Sequence, residues 1–258
     1  MMALAGGLPT GISVDYVLVG VALAVAGLLL LISELGRPSR FWRSVTNWKT
    51  SWMARGSAFN LALMLCSLGL YLASVAVRTM LLPLIQITLV SSLLVMAYPG
   101  FLLHDVHDIG LWVSPLLPML MFLYSLLSGV SAFVLLTALL GESLSSVPWV
   151  GASIMVTLDV LLLAFLRAIR TSHSQSVLTS YYTLSKGRMA APFVIGVMIL
   201  GTTVPTACFL FQALYAATLV DNMIVMEIGA LAFLLGAFLF RYCLLKAAFH
   251  EPLKVMDE

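Results

Sequence analysis

The residues best suited to chemistry lie in one short stretch that follows an apolar run. A tyrosine comes first, and a cluster of imidazole and carboxyl groups follows it within ten residues: Tyr98, then His104, Asp105, His107 and Asp108. Imidazole and carboxyl groups are the usual general acids and bases of proteins, so the stretch is suited to proton exchange. Two histidines three residues apart could also bind a metal ion. The adjacent aspartates favour proton exchange, and we predict no metal site.

Pro99 follows Tyr98 directly. A proline inside a helix removes one backbone hydrogen bond and clashes with the carbonyl group four residues earlier, here that of Val95. The pattern therefore predicts a helix kinked beside Tyr98, with Gly100 leaving room for a close approach. A plainer interpretation stays open, in which Tyr-Pro-Gly ends the helix and Tyr98 belongs to the aromatic belt at the membrane surface.

A second group of candidates consists of charged residues within apolar runs. Asp159 falls near the middle of such a run, where a carboxylate must be paired, protonated or hydrated. We predict that Arg241 is its partner, and that Glu227 could continue a hydrated path. A structural ion pair between two helices and a proton path both fit this pattern.

The stretch 34–56 joins the first two apolar runs and is unusually rich in cations and tryptophan. It contains five basic residues and three tryptophans, in a chain with 9% charged residues. Such a stretch either anchors a helix among lipid headgroups or docks a partner protein. Its length favours docking, for which we select these residues: Arg40, Trp42, Arg43, Trp52 and Arg55.

The elements that must position these residues are membrane helices. The chain is 62% hydrophobic, and runs of about 20 apolar residues are long enough to cross a bilayer. Inside lipid the backbone must satisfy its own hydrogen bonds, so each run must be a helix. The prediction is one all-α membrane bundle over residues 1–258 with seven helices, near 14–33, 57–77, 82–103, 116–140, 149–166, 192–217 and 223–245.

The distribution of cations predicts the orientation in the membrane. Lysine and arginine concentrate after the first, fifth and seventh runs. The positive-inside rule therefore places these loops in the cytoplasm and the N-terminus outside a cell membrane.

Composition also argues against several classes of partner and cofactor. A net charge of +2 gives no reason to expect nucleic acid. The three cysteines lie in apolar runs without C-x-x-C spacing, so we expect no iron–sulfur cluster in this chain. The four histidines fall at the ends of apolar runs or outside them, which predicts that no haem is bound within the bilayer.

Three runs follow one another along the chain, at residues 35–56, 98–118 and 234–250. They resemble motifs of the polysulfide reductase membrane-subunit family of the NrfD/PsrC type, to which the dimethyl sulfoxide reductase anchor is related. The run LGRPSRFWRSVTNWKTSWMARG has that family's L-G-x-P and T-S-x-x-x-x-G elements. The run YPGFLLHDVHDIGLWVSPLLP is similar to its aromatic-Pro-Gly element, followed by Leu-Trp and proline. The last helix, LLGAFLFRYCLLKAAFH, is the third match, and the three occur in the family's order.

The resemblance implies a subunit that is not catalytic alone but exchanges electrons between a membrane quinone and a docked protein. The implied partners are a four-cluster iron–sulfur subunit and a molybdopterin catalytic subunit, and the quinone is menaquinone or ubiquinone. A quinone site needs an apolar slot, hydrogen-bonding groups and a proton relay. The candidates for the quinone site are Tyr98, His104, Asp105, His107, Glu34 and Arg37.

The resembling family usually has eight helices, and its L-G-x-P motif closes the second of them. Here the motif closes the first, so residues 1–11 are interpreted as the remnant of an eighth helix. The dimethyl sulfoxide reductase anchor has a histidine just before its L-G-x-P motif. This chain has Glu34 at that position.

Two other functions stay open. A small membrane transporter would show inverted repeats with broken helices, and Pro99 and Pro205 are a faint sign of such breaks. A purely structural membrane anchor is the other alternative.

Overall fold

The computed structural model describes residues 14–33, 52–76, 81–140, 147–215 and 223–248. In chain order these form α1 (Val14–Ser33), α2 (Trp52–Ala76), α3 (Leu81–His104), α4 (Leu116–Leu140), α5 (Val147–Arg170), α6 (Gln175–Ser185), a π-helix (Pro192–Thr203), α7 (Val204–Tyr215) and α8 (Met223–Lys246). The described residues contain no β-strand, which confirms the all-α class.

Six described stretches are long and apolar enough to cross a membrane, which makes this a multi-pass membrane protein. They are Trp52–Ala73, Leu82–His104, Leu116–Leu140, Val147–Arg170, Pro192–Tyr215 and Ile224–Lys246. By the same measure, α1 contributes a shorter apolar stretch, Leu18–Gly27. Six of the predicted spans therefore have a candidate helix, and a seventh or eighth span stays a prediction.

Two helices differ from the sequence prediction. The second span was expected to start at Ser57, but α2 begins at Trp52, so Trp52 and Arg55 belong to a helix and not to a loop. Helix α6 lies in a stretch predicted only as a basic loop. Its buried face includes Val177 and Leu184, seven residues apart, a helical spacing that the sequence already contained.

The chain divides into two compact units, Met1–Leu102 and Leu103–Glu258. In the first unit α1 packs against α2. Hydroxyl groups inside its helices are satisfied locally: Ser57, Thr88 and Ser91 each donate to the carbonyl group four residues earlier, at 3.0, 2.7 and 2.8 Å. Such bonds allow polar side chains to lie within apolar surroundings without an unpaired donor.

The second unit is built around α8, which packs against the π-helix, α4 and α7. At the crossing with the π-helix, Gly201 and Gly236 bring two backbones together. A Cβ atom added at Gly201 would lie 2.7 Å from the Cα of Gly236, which is closer than side chains approach. Small residues at such crossings give membrane helices close van der Waals contact.

The sixth span was predicted as a helix over 192–217, and its first half is a π-helix of 12 residues. The hydroxyl of Thr203 accordingly donates to the carbonyl of Met198, five residues earlier, at 2.8 Å. Pro205 follows at once, and its ring would clash with the Gly201 carbonyl in a regular α-helix. A wider preceding turn relieves that clash, and π-turns often occur beside functional sites.

Candidate functional site

Tyr98 is half-buried on α3 and packs against α2. The contact is made at Gly56, where an added Cβ atom would overlap the Cδ2 and Cε2 atoms of the Tyr98 ring. One turn further along α2, the side-chain amide of Asn60 lies near the Tyr98 hydroxyl and acts on it. The Asn60 Nδ2 also donates to the Gly56 carbonyl at 3.0 Å, which fixes the amide in place. The ring thus lies on a glycine and its hydroxyl faces an amide.

An aromatic stack lies beside this tyrosine within the same unit. The rings of Trp52 and Phe101 are nearly parallel, with centroids 5.0 Å apart. The guanidinium carbon of Arg55 lies 4.6 Å from the centroid of the Trp52 ring, a cation–π distance. The sequence assigned Trp52 and Arg55 to partner docking. Here Trp52 packs against α3 and Arg55 lies over the Trp52 ring on the same helix. Their role in docking stays a prediction.

Helix α3 continues through Pro99 as far as His104. The interpretation in which Tyr-Pro-Gly ends the helix is therefore wrong. Six residues of helix follow Tyr98 and keep it within the span instead of at its end.

The histidines of the next stretch are oriented by backbone carbonyl groups. His104 Nδ1 lies 3.4 Å from the Trp112 carbonyl oxygen, and His107 Nδ1 lies 2.8 Å from that of Asp105. A carbonyl oxygen only accepts, so Nδ1 carries the hydrogen in both rings and Nε2 is left as the acceptor. His107, Asp105 and Asp108 are exposed, and His104 is half-buried. Both imidazoles therefore present a nitrogen that can take up a proton.

A second polar cluster lies inside the other unit, around a tyrosine that the sequence analysis overlooked. Tyr124 on α4 is fully buried, and the charges of Asp159 and Arg241 both act on it. The Thr206 hydroxyl donates to Asp159 Oδ2 at 2.8 Å. The Tyr124 hydroxyl and Asp159 Oδ1 are buried without a hydrogen-bond partner among the described residues. Buried polar groups without a protein partner are candidates for binding an internal water molecule or for proton exchange.

The predicted ion pair between Asp159 and Arg241 is not formed. Arg241 instead donates through Nη2 to Ser125 Oγ and through Nη1 to the Ala237 carbonyl, each at 3.4 Å. The two residues are on different helices and each reaches a nearer hydroxyl group. Both charges act on Tyr124, which lies near each of them.

The sequence suggested that Glu227 could continue a hydrated path from this cluster. It lies on α8, 14 positions before Arg241, which corresponds to about 21 Å along the helix axis. A path through both residues would have to cross most of the membrane along α8. Its part in proton transfer stays a prediction.

Several predicted site residues lie outside the described part of the chain: Glu34, Arg37, Arg40, Trp42 and Arg43. Conversely, Asn60, Tyr124 and Thr206 were missed. Asn60 and Thr206 are polar residues within apolar runs, which is a readable signal. Tyr124 has no such signal, because an aromatic residue in an apolar run is ordinary.

Within the described residues, no three or more histidine, cysteine, aspartate or glutamate side chains are grouped so as to hold a metal ion. The described histidines lie at the end of α3, in the stretch after it, and between α5 and α6. The expected absence of metal and haem stays a prediction that spectroscopy can test.

Comparison with known proteins gives one result. The model of the family "Polysulphide reductase, NrfD" matches residues 9–251, which is nearly the whole chain. No curated protein and no solved structure matches the chain significantly. NrfD proteins are membrane subunits associated with respiratory reductase complexes, and they partner with iron–sulfur and molybdopterin subunits. Because the family match covers residues 9–251 and the described helices are of membrane type, the chain belongs to the NrfD family.

Proposed function

We propose that this chain is the quinone-reactive membrane subunit of a molybdopterin and iron–sulfur oxidoreductase. It would exchange electrons between menaquinone or ubiquinone in the bilayer and a docked four-cluster iron–sulfur subunit. Membership of a quinone-associated family supports this proposal. The observation that carries it is the placement of Tyr98, half-buried within a span and held between Gly56 and Asn60.

Quinone chemistry explains why such a tyrosine is useful. Oxidation of a quinol releases two electrons and two protons, and the reverse reaction takes both up. The Tyr98 hydroxyl would donate to one carbonyl oxygen of the quinone, while Asn60 positions the phenol. Because Gly56 lacks a side chain, the ring can lie flat against α2 and leave its hydroxyl edge open.

Protons need an acceptor, and two imidazoles follow Tyr98 by six and nine residues in the chain. His104 and His107 each leave Nε2 as an acceptor, and the Asp105 carbonyl orients His107. We assign these residues to the proton branch of the reaction. The electrons go directly to the iron–sulfur cluster of the docked subunit. The chain therefore needs no redox group of its own.

Tyr98→Phe tests the assignment. Loss of one hydrogen bond to the quinone is worth about 1 to 3 kcal/mol, which corresponds to a decrease in quinol-coupled turnover of about 5- to 150-fold. Activity with soluble dyes, which react directly with the partner subunits, should be unchanged. Tyr242→Phe is the matched control, because Tyr242 is an exposed membrane tyrosine on α8.

Retained quinol turnover in both Tyr98→Phe and His104→Ala would place the quinone elsewhere. Loss of dye-linked activity as well would mean that the variant fails to assemble with its partners. In that case the quinol-coupled rate is divided by the amount of assembled complex before variants are compared.

The orientation proposed from the cation distribution has its own test. We propose that the stretch after α1 and the residues around Arg188 face the cytoplasm. Cysteine introduced at positions 45 and 188 should then react only with reagents that reach the cytoplasmic face. Arg188 is exposed, which makes it a suitable labelling position. Labelling from the outer face alone would reverse the orientation.

A further inference from the structure

A cleft of about 520 Å³ opens at one end of α5, within the second unit. Its lining combines two cations with apolar and hydroxyl side chains: Leu163, Leu166, Arg167, Arg170, Thr171 and Tyr181. None of the roles assigned above uses these residues. Two arginines in one cleft, without an acid among the lining residues, point to an anionic ligand.

The lining is arranged in two levels along the helix. Leu163 and Arg167, and likewise Leu166 and Arg170, are four residues apart and therefore lie on one face of α5. The leucine level precedes the arginine level by about 6 Å along the helix axis. The span Val147–Arg170 ends at the second arginine. The arginines thus lie at headgroup depth and the leucines at the edge of the hydrocarbon.

Hydroxyl groups complete the polar end of the cleft. The Thr171 hydroxyl donates to the Arg167 carbonyl at 3.0 Å, which holds it in place with its lone pairs still able to accept. Tyr181, on α6, is half-buried and forms the opposite wall. Helix α6 therefore converts a pair of surface arginines into a walled cleft. Guanidinium groups bind phosphate oxygens in pairs, a geometry that lysine does not offer.

We propose that this cleft binds an anionic glycerophospholipid, with its phosphate at Arg167 and Arg170 and an acyl chain along Leu163 and Leu166. A free phosphate would use the arginines but gain nothing from the leucines. A lipid without a phosphate would gain nothing from the paired cations. Arginines in a last helical turn also favour the helix dipole, but that effect requires neither a cleft nor a wall. The proposal does not depend on quinone chemistry.

The test measures lipid binding to the full-length chain in its purified complex. Native mass spectrometry in detergent gives the affinity for the first dioleoyl phosphatidylglycerol molecule bound. Each arginine near an anionic headgroup contributes about fivefold in affinity, so Arg167→Gln with Arg170→Gln should weaken binding by about 30-fold. Arg188→Gln is the matched control, an exposed arginine outside the cleft. It should change the affinity by less than about twofold.

Two further probes separate the possible ligands. Dioleoylglycerol, which has the same acyl chains but no phosphate, should bind equally to the wild type and the double variant. Inorganic phosphate should not displace phosphatidylglycerol, and Leu163→Asn should weaken the binding of phosphatidylglycerol. Unchanged phosphatidylglycerol affinity in the double variant overturns the proposal. Displacement by equimolar phosphate overturns it as well, since the ligand would then be a free anion.

Discussion

Two tyrosines inside membrane helices show how different the two units are. Tyr98 is half-buried, packs on a glycine and has the Asn60 amide as partner. Tyr124 is 0% exposed, and its ring stacks on those of Phe233 and Phe240. Its hydroxyl has no hydrogen-bond partner among the described residues. A substrate from the bilayer could reach the first but not the second.

The surroundings of the two tyrosines are suited to different roles. A quinone ring needs an accessible hydroxyl with a fixed position, which Gly56 and Asn60 provide for Tyr98. The Tyr124 hydroxyl is instead sealed in a core with the charges of Asp159 and Arg241 acting on it. That arrangement is suited to an internal water or proton and not to a membrane-borne substrate.

The largest expected effect on stability comes from the sealed tyrosine. Tyr124→Ala removes a ring whose centroid lies 4.2 Å from that of Phe240, and it leaves a cavity. The free energy of unfolding should fall by about 3 to 5 kcal/mol. Tyr98→Ala should cost less, because its ring is only half-buried. Thermal unfolding in detergent measures both, and an equal loss would contradict the difference in packing.

Gly56→Ala should disturb function more than stability. The added methyl group overlaps the Tyr98 ring and forces it to move, and a misplacement of about 1 Å can cost about 100-fold in rate. Gly69→Ala is the control on the same helix, since a Cβ atom there would lie an ordinary 3.9 Å from Leu84. The measurement is quinol-coupled turnover relative to dye-linked turnover. Equal rates in the two variants would mean that Tyr98 does not contact the quinone.

Thr206→Val should cost about 1 to 3 kcal/mol, because both carboxyl oxygens of Asp159 would then lack a donor. Asp159→Asn should cost less, since its amide oxygen can still accept from Thr206. Thr203→Val is the control, an exposed threonine whose hydroxyl bonds only to its own helix. If Asp159→Asn is instead the more damaging change, Arg241 depends on that carboxylate after all.

The smallest expected effect is that of Tyr124→Phe. Its hydroxyl has no described partner, so removing it should change the free energy of unfolding by less than about 0.5 kcal/mol. The informative readout is proton uptake during quinone reduction. Unchanged stability with slower proton uptake would make Tyr124 a relay, while unchanged values of both would make it a packing residue.

The sequence alone was sufficient for the membrane class, because long apolar runs in lipid have one backbone solution. It was also sufficient for the family. It singled out Tyr98 by its Pro-Gly neighbours, and the role of that residue stays a prediction. Helix ends were less certain: α2 begins five residues before the predicted Ser57, since Trp52 and Arg55 gain contacts by extending the helix.

Partners of buried polar groups were decided only by the tertiary structure. Opposite charge in two spans suggested an Asp159–Arg241 pair, yet each side chain meets a hydroxyl from another helix, Thr206 and Ser125 respectively. The amino-acid sequence shows which charged side chains need partners. The rotation of each helix about its axis determines which group such a side chain reaches. That rotation depends on close crossings such as Gly201 with Gly236, where two backbones touch, and no local pattern reveals which glycines will meet.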